Sequence, residues 1–256
     1  KVSDFDFYLP QELIAQKHAE KREMSRLLVY HTQKRSAEDK SFTDITGYFS
    51  PGDLLVINDT RVIPARLFGR KPSGARVEFL LTGEREPGLW EAMARPAKRL
   101  HPGTRVDISG TEILVEEKLD WGGVTVRFPE RVDVHDFLQR HGHMPVPPYI
   151  HNDDEAYLRQ RYQTVFAQRS GSVAAPTAGL HFTQELLDQL KEKGVVLVTI
   201  TLHVGMGTFL PVKSDTVEGH RMHSEFYEIS EKAAEAINKR QGRLFACGTT
   251  VTRTLE

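Results

Sequence analysis

Residues 171–209 read GSVAAPTAGLHFTQELLDQLKEKGVVLVTITLHVGMGTF, and their pattern decides the fold. A run of small residues ends in Gly179-Leu180-His181-Phe182, and Thr183 then offers a side-chain oxygen suited to capping a helix. Leu186, Leu187 and Leu190 give that helix one apolar face, and Gly194 stops it after Lys191 and Lys193. The apolar run 195–202 has the length of a buried strand and delivers His203-Val204-Gly205-Met206-Gly207-Thr208 to a second loop. Polar loop, helix, strand, polar loop is an α/β unit. Loops at the carboxyl ends of buried strands are where such folds form crevices, because a rigid scaffold presents them side by side.

Two further strands of this kind stand elsewhere. Leu54-Leu55-Val56-Ile57 follows the turn Pro51-Gly52-Asp53 and ends in Asn58-Asp59-Thr60-Arg61, while 243–247 runs into a polar tip, Gly248-Thr249-Thr250. If the three strands are neighbours in one sheet, the three tips share a crevice. Around them, 27–30 and 222–229 read as strands, 31–41 as a polar hairpin loop, 42–49 as a short amphipathic segment, and 134–140 and 231–239 as helices. Between 67 and 147 the character changes. Turn signals at Pro72-Ser73-Gly74, Pro87-Gly88, Pro102-Gly103, Ser109-Gly110 and Gly122-Gly123 separate short β-prone runs, which predicts a small antiparallel barrel or sandwich inserted in the larger fold. The expected fold is therefore α/β: a larger domain with a central mixed sheet, made of 1–66 and 148–256, interrupted by an inserted β-barrel domain at 67–147.

A chain of 256 residues with 39% hydrophobic content can bury a substantial core. Lys and Arg number 34 against 35 Asp and Glu, so the net charge of -1 points to no polyanionic partner by itself. The single cysteine, Cys247, excludes an internal disulfide and suits a reducing compartment. The first residues lack a basic segment followed by an apolar core, and no apolar run reaches membrane-spanning length, so the expectation is a soluble cytoplasmic protein with no membrane partner.

Charge is segregated along the chain. Arg61, Arg66, Arg70, Lys71 and Arg76 occur with no acid between them, as do Arg95, Lys98, Arg99 and Arg105, whereas 107–136 is dominated by acids. A basic strip on a neutral protein is compatible with reading nucleic acid, and equally with a solvated face paired against the acidic one. Arg66 and Arg95 stand beside Pro64-Ala65 and Pro96-Ala97, rigid backbone that aims a guanidinium; arginine suits fork-shaped phosphate contacts. Histidines number eleven, and His220 with His223, three apart near Glu225, would suit zinc on a helix. The segment alternates like a strand instead, which turns the two rings to opposite faces, so no metal is expected. His181 and His203 are better suited to proton transfer from loops near neutral pH. Gly205, Gly207 and Gly248 allow backbone amides to approach a ligand, but neither glycine loop has the spacing of a nucleotide fingerprint, and there is no Gly-x-Ser-x-Gly elbow.

A set of motifs carries a specific resemblance. Asn58-Asp59-Thr60-Arg61-Val62-Ile63-Pro64-Ala65-Arg66, Arg95-Pro96-Ala97-Lys98-Arg99, Met144-Pro145-Val146-Pro147-Pro148-Tyr149, Arg161-Tyr162-Gln163-Thr164-Val165, Ala174-Ala175-Pro176-Thr177-Ala178-Gly179-Leu180-His181-Phe182, Leu202-His203-Val204-Gly205-Met206-Gly207-Thr208, His223-Ser224-Glu225-Phe226-Tyr227 and Gly248-Thr249-Thr250 follow one another in the chain. Together they resemble the S-adenosylmethionine:tRNA ribosyltransferase-isomerases of bacterial queuosine biosynthesis, from the first residues to Glu256. The sequence departs from the family pattern at His18, where proline is usual, in a shorter loop around Gln241-Gly242, and in lacking a C-terminal Asn-Phe-His-Leu-Pro segment.

The resemblance implies transfer and isomerisation of the ribosyl part of S-adenosylmethionine onto a 7-aminomethyl-7-deazaguanine at the wobble position of tRNA. Epoxyqueuosine-tRNA forms, and adenine and methionine are released. S-adenosylmethionine is thus consumed as a substrate, no cofactor is permanently bound, and no obligatory protein partner is implied. Under this reading His203, His181 and Glu225 are the catalytic candidates. Asn58, Asp59, Thr60, Thr177, Gly179, Gly205, Gly207, Thr208, Thr249 and Thr250 are the candidates for substrate binding, and Arg61, Arg66, Arg95, Lys98 and Arg99 for tRNA. The competing expectations are a non-catalytic tRNA-binding module and an S-adenosylmethionine-dependent RNA methyltransferase.

Overall fold

A computed structural model describes residues 1–150, 155–220 and 222–256. The strands in chain order are β1 (Arg26–His31), β2 (Ser36–Ser41), β3 (Leu54–Asn58), β4 (Thr60–Val62), β5 (Arg66–Arg70), β6 (Arg76–Glu86), β7 (Leu89–Arg95), β8 (Arg105–Ile108), β9 (Thr111–Lys118), β10 (Val124–Arg127), β11 (Arg169–Ser172), β12 (Val196–Leu202), β13 (Tyr227–Glu228) and β14 (Leu244–Ala246). The helices are α1 (Val134–His141), α2 (Glu155–Arg161), α3 (Gln184–Glu192), α4 (Glu231–Asn238) and α5 (Gly248–Leu255).

Strand β3 is buried at every position and sits inside a four-stranded sheet of order β13-β12-β3-β14. It runs parallel to β12 from Leu54 opposite Val196 to Asn58 opposite Ile200, and parallel to β14 from Leu54 opposite Leu244 to Val56 opposite Ala246. Successive side chains in a strand point to opposite faces, which sorts its neighbours. Leu55 and Ile57 pack with Leu186, Leu187 and Leu190 of α3 and with Phe42, Phe49 and Phe182. Leu54 and Val56 pack with Val198, Ile200, Ala233 of α4 and Val251 of α5. Each such side chain contributes about 1.5–3 kcal/mol when fully buried. Helices therefore cover both faces, and the carboxyl ends of β3, β12 and β14 open on one edge. Thr183 caps α3 by accepting from the Leu186 amide, as its sequence position predicts.

Strands β5 to β10 close into an antiparallel barrel of order β10-β7-β6-β5-β8-β9, with β9 paired back to β10. Closure leaves no strand edge open to aggregation. Val77, Phe79 and Leu81 alternate inward along β6, and the barrel core continues through Phe137 and Leu138 of α1 to Ile63, Ala65 and Val173. The barrel is thus packed onto the segment that leaves β3 rather than hanging from a linker. The α/β fold with its barrel is as the sequence predicts.

Four local expectations are corrected. The polar segment 31–41 contains β2, which pairs antiparallel with β1 from Arg26 opposite Ser41 to His31 opposite Ser36. This ribbon buries almost nothing along β2, so no apolar alternation marks it. Of 222–229 only Tyr227 and Glu228 form a strand, because β12 offers a partner only at Thr201 and Leu202. Asn58-Asp59-Thr60-Arg61 is no free tip: the chain continues at once into β4, which pairs in parallel with β11. Gly248-Thr249-Thr250 is the first turn of α5, entered through a Gly248 φ of +84° that a side chain would resist.

Candidate active site

At the sheet edge the side chain of Asn58 stitches β3 to β12. Its Oδ1 accepts from the amides of Thr60 (3.1 Å) and Leu202 (3.0 Å), and its Nδ2 donates to the Leu202 carbonyl at 3.0 Å. Thr201 Oγ1 donates to Asp59 Oδ1 at 2.7 Å, and the Asp59 carbonyl takes the amides of Gln168 and Arg169. Asn58, Asp59 and Thr60 are all buried and line neither of the two neighbouring cavities; Thr60 lies in β4, which pairs with β11.

His203 belongs to the same hydrogen-bonded group. Its Nδ1 shares a 2.7 Å hydrogen bond with Thr60 Oγ1, its ring stacks on Phe226 with centroids 5.5 Å apart, and a Cβ on Gly171 would stand 2.8 Å from its Nε2. Burial holds its pKa below the usual histidine value, partly opposed by the nearby Asp59 carboxylate.

Val204, the next residue along the chain, borders a crevice of about 610 Å³. One wall is Ala174 to Ala178, a second is Val204 with Thr208 and Phe209, and a third is Gly248, Thr249 and Thr250. Of the three tips expected to share a crevice, those around 208 and 249 do so, joined by the segment around 177, whereas 58–61 does not line it. No side chain caps α5 at Cys247, so its first-turn amides and the positive end of its dipole are available to a carboxylate or phosphate at this wall. Thr250 Oγ1 is buried here without a hydrogen-bond partner among the described residues.

Glu225 holds the second wall in place. Its Oε1 accepts from the Gly205 amide at 2.9 Å, its Oε2 is ion-paired with Arg253 of α5, and Arg253 also donates to the His223 carbonyl at 2.7 Å. A carboxylate engaged on both oxygens is placed to orient the loop rather than to collect protons. Gly207 packs against the His223 ring, and Gly179 is buried against Phe166 and Thr164. Neither glycine lines the crevice.

His181 lies elsewhere. It lines a second cavity, of about 320 Å³, between the segment 15–22 and α2, where its Nδ1 shares a 2.9 Å hydrogen bond with Ser25 Oγ. Burial lowers its pKa as well. The expected histidine pair is therefore not brought into one pocket: His181 lines the second cavity and His203 lines neither. Pro147, Tyr149, Tyr162 and Thr177 line both cavities and form the partition. Burial pushes the Tyr162 phenol up to about 12, so it stays protonated. Tyr149, Tyr162, His18, Arg22, Tyr157 and Arg161 escaped the site reading, although Tyr149, Arg161 and Tyr162 stand within motifs already conspicuous in the sequence.

On the barrel, Arg66 pairs with Glu78 at 2.7 Å and lies over the Phe68 ring, 5.3 Å from its centroid. Arg66 and Arg95 line a groove with Pro148 and Phe209, two residues that also line the crevice. Arg70 and Arg76 line the next hollow with Arg95, and the exposed Arg61, Lys98 and Arg99 stand apart from these cavities. Among the described residues no group of three or more His, Cys, Asp or Glu side chains is arranged to hold a metal ion, and no helix is long and apolar enough to cross a membrane. His220 and His223 flank Arg221, which lies outside the described residues.

The sequence profile of the queuosine biosynthesis proteins matches residues 2–256. This chain belongs to that family. Among its queuosine-family relatives, the S-adenosylmethionine:tRNA ribosyltransferase-isomerase of Syntrophomonas wolfei is 51% identical, over 100% of this chain and 74% of that protein. The protein of the same name from Halothermothrix orenii is 48% identical, over 100% of this chain and 76% of its own length. A crystal structure of S-adenosylmethionine tRNA ribosyltransferase from Thermotoga maritima shares 32% identity with this queuosine-family chain, over 99% of this chain and 72% of that one, with a TM-score of 0.45.

Proposed function

We propose that this chain is an S-adenosylmethionine:tRNA ribosyltransferase-isomerase. In this reading it transfers and isomerises the ribosyl group of S-adenosylmethionine onto the aminomethyl group of a 7-deazaguanine in tRNA, giving epoxyqueuosine-tRNA, adenine and methionine. The observation that carries it is the match over the whole chain to relatives of that name. The geometry supports it with a crevice at the sheet edge, beside an arginine-bearing barrel groove. The α/β part, 1–66 and 148–256, would hold the chemistry, and the barrel, 67–147, would offer Arg66 and Arg95 to the polynucleotide.

The sulfonium of S-adenosylmethionine acidifies the adjoining ribose carbon, so the reaction begins with removal of a proton there and needs a proton for departing adenine. A neutral imidazole that reaches a cavity can take and return such protons. His181 has that position, with Ser25 setting its ring, and the ribosyl group of S-adenosylmethionine in the crevice would reach it past Tyr149, Tyr162 and Thr177, which line both cavities. His203, held behind the crevice by Thr60 and Phe226, acts as a positioning residue for the 203–209 loop. Glu225 fixes the same loop through the Gly205 amide. The first turn of α5 receives the carboxylate of the methionyl group.

Incubation with S-adenosylmethionine and tRNA bearing the aminomethyl deazaguanine, followed by chromatography of small products, tests the reading. Adenine and methionine are expected. S-adenosylhomocysteine would indicate methyl transfer, and tRNA binding with no product would indicate a non-catalytic module. His181→Ala is expected to abolish turnover while S-adenosylmethionine still binds. Full turnover in that variant ends the proton assignment.

A further inference from the structure

The cavity beneath residues 15–22 carries chemistry that the crevice does not. Two guanidiniums border it. Arg22 donates to the carbonyls of Leu180 (3.0 Å) and Gln160 (3.1 Å), and Arg161 donates to the Ala19 carbonyl at 2.6 Å. Neither has a carboxylate partner among the described residues, and Arg161 Nε is buried with no hydrogen-bond partner there. Two guanidiniums bordering one cavity, without a carboxylate partner among the described residues, repel each other, and an anion between them would offset that repulsion. The rest of the lining is aromatic and apolar: Tyr149, Tyr157 and Tyr162, with His18 beside Tyr157 at a centroid distance of 5.9 Å, and Val146, Ile150 and Leu180. A planar ring is the group that such walls accept.

A flat heterocycle joined to an anion is a nucleotide unit. At about 320 Å³ the cavity is at the small end of ligand sites and suits one such unit rather than a strand. We infer that this cavity receives a single extruded nucleotide of the RNA substrate, its base among Tyr149, Tyr157 and Tyr162 and its phosphate on Arg22 and Arg161. The sulfonium substrate then occupies the neighbouring crevice. Enzymes that modify a base in a folded nucleic acid take it out of the stack into such a pocket. Placement across the partition of Tyr149, Tyr162 and Thr177 sets the two substrates side by side, with His181 on the nucleotide side. This assignment rests on the proposed function, because it presupposes a polynucleotide substrate.

The test measures binding of an unmodified tRNA transcript without S-adenosylmethionine, by fluorescence anisotropy over a series of salt concentrations, for the whole chain. In Arg22→Gln/Arg161→Gln the affinity is expected to fall about tenfold or more. The slope of log affinity against log salt is expected to become shallower by about 0.7 for each phosphate that the protein ceases to neutralise. Ala19→Trp fills the cavity from an exposed position and keeps the backbone carbonyl that Arg161 uses, so it reports on the cavity even if the arginine variant unfolds. It is expected to weaken tRNA binding to a similar degree, while S-adenosylmethionine affinity by titration calorimetry is unchanged in both variants. Unaltered tRNA affinity and salt slope in both variants overturn the inference. So does loss of S-adenosylmethionine affinity with tRNA retained, which would assign the cavity to the adenosyl or carboxylate end of that substrate. A wild-type chain that binds no tRNA overturns the proposed function and this inference with it.

Discussion

Removing the guanidinium of Arg253 separates a structural role for Glu225 from a catalytic one. The Glu225 side chain is 10% exposed and that of Arg253 is 39% exposed, so Arg253→Met leaves a nearly buried carboxylate holding only the Gly205 amide. Breaking a fully buried ion pair costs about 3–5 kcal/mol, whereas an exposed pair contributes about 0–1 kcal/mol. With one partner buried and the other partly solvated, about 2 kcal/mol is expected from the pair. Loss of the donor to the His223 carbonyl adds roughly 0.5–1 kcal/mol. Urea unfolding should therefore show a midpoint lowered by about 2–3 kcal/mol divided by an unchanged m-value. Adding Glu225→Gln removes the unpaired charge and keeps an oxygen for Gly205, so the double variant should recover about 1 kcal/mol relative to Arg253→Met. Stability within about 0.5 kcal/mol of wild type for Arg253→Met, or no recovery in the double variant, would refute the clamp.

Three further outcomes follow from the same structure. Asp53 accepts from the Ser50 and Arg243 amides and from the Arg243 guanidinium, whose hydrogen bonds hold its pKa at about 2. A carboxyl depressed in the folded state stabilises it above the unfolded value of 3.8 and loses that contribution as pH falls toward about 2. Stability followed by circular dichroism should thus decline less steeply between pH 4 and 2 in Asp53→Asn than in wild type. A Cβ on Gly142 would stand 1.9 Å from the Pro64 carbonyl oxygen and 2.6 Å from that of Leu138, both backbone, so Gly142→Ala should cost at least about 1–3 kcal/mol on thermal unfolding. Burial pushes the Cys247 thiol up to about 12, so an aromatic disulfide reagent at pH 8 should leave it unmodified in the native state and react fully in urea.

Much of the architecture was legible in the order of residues because it rests on local periodicity. Leu54 to Ile57 are apolar at consecutive positions, which suits a strand covered on both faces, 195–202 is largely apolar, and Thr183 with Gly194 brackets the helix before it. The barrel was legible for a similar reason, since its turns carry glycine and proline at regular spacing. β2 was not, because an exposed ribbon needs no apolar alternation. The site was legible only as a set of segments. That segments around 208 and 249 face one crevice follows from β12 and β14 running parallel on either side of β3, which the sequence suggested but could not enforce, whereas the entry of 174–178 into the same crevice left no mark in it.

What the sequence determined by itself is which segments are buried, which residues break them and which side chains carry usable chemistry. Tertiary structure alone decided that Asn58, Asp59, Thr60 and His203 line neither cavity, and that His181 faces a different cavity lined by Arg22, Tyr157 and Arg161. The reason is physical. Period and capping are properties of neighbours along the chain, whereas the pairing of one tip with a strand more than a hundred residues later, and the placing of Arg22 and Arg161 at one cavity, arise from contacts between distant segments that leave no local pattern.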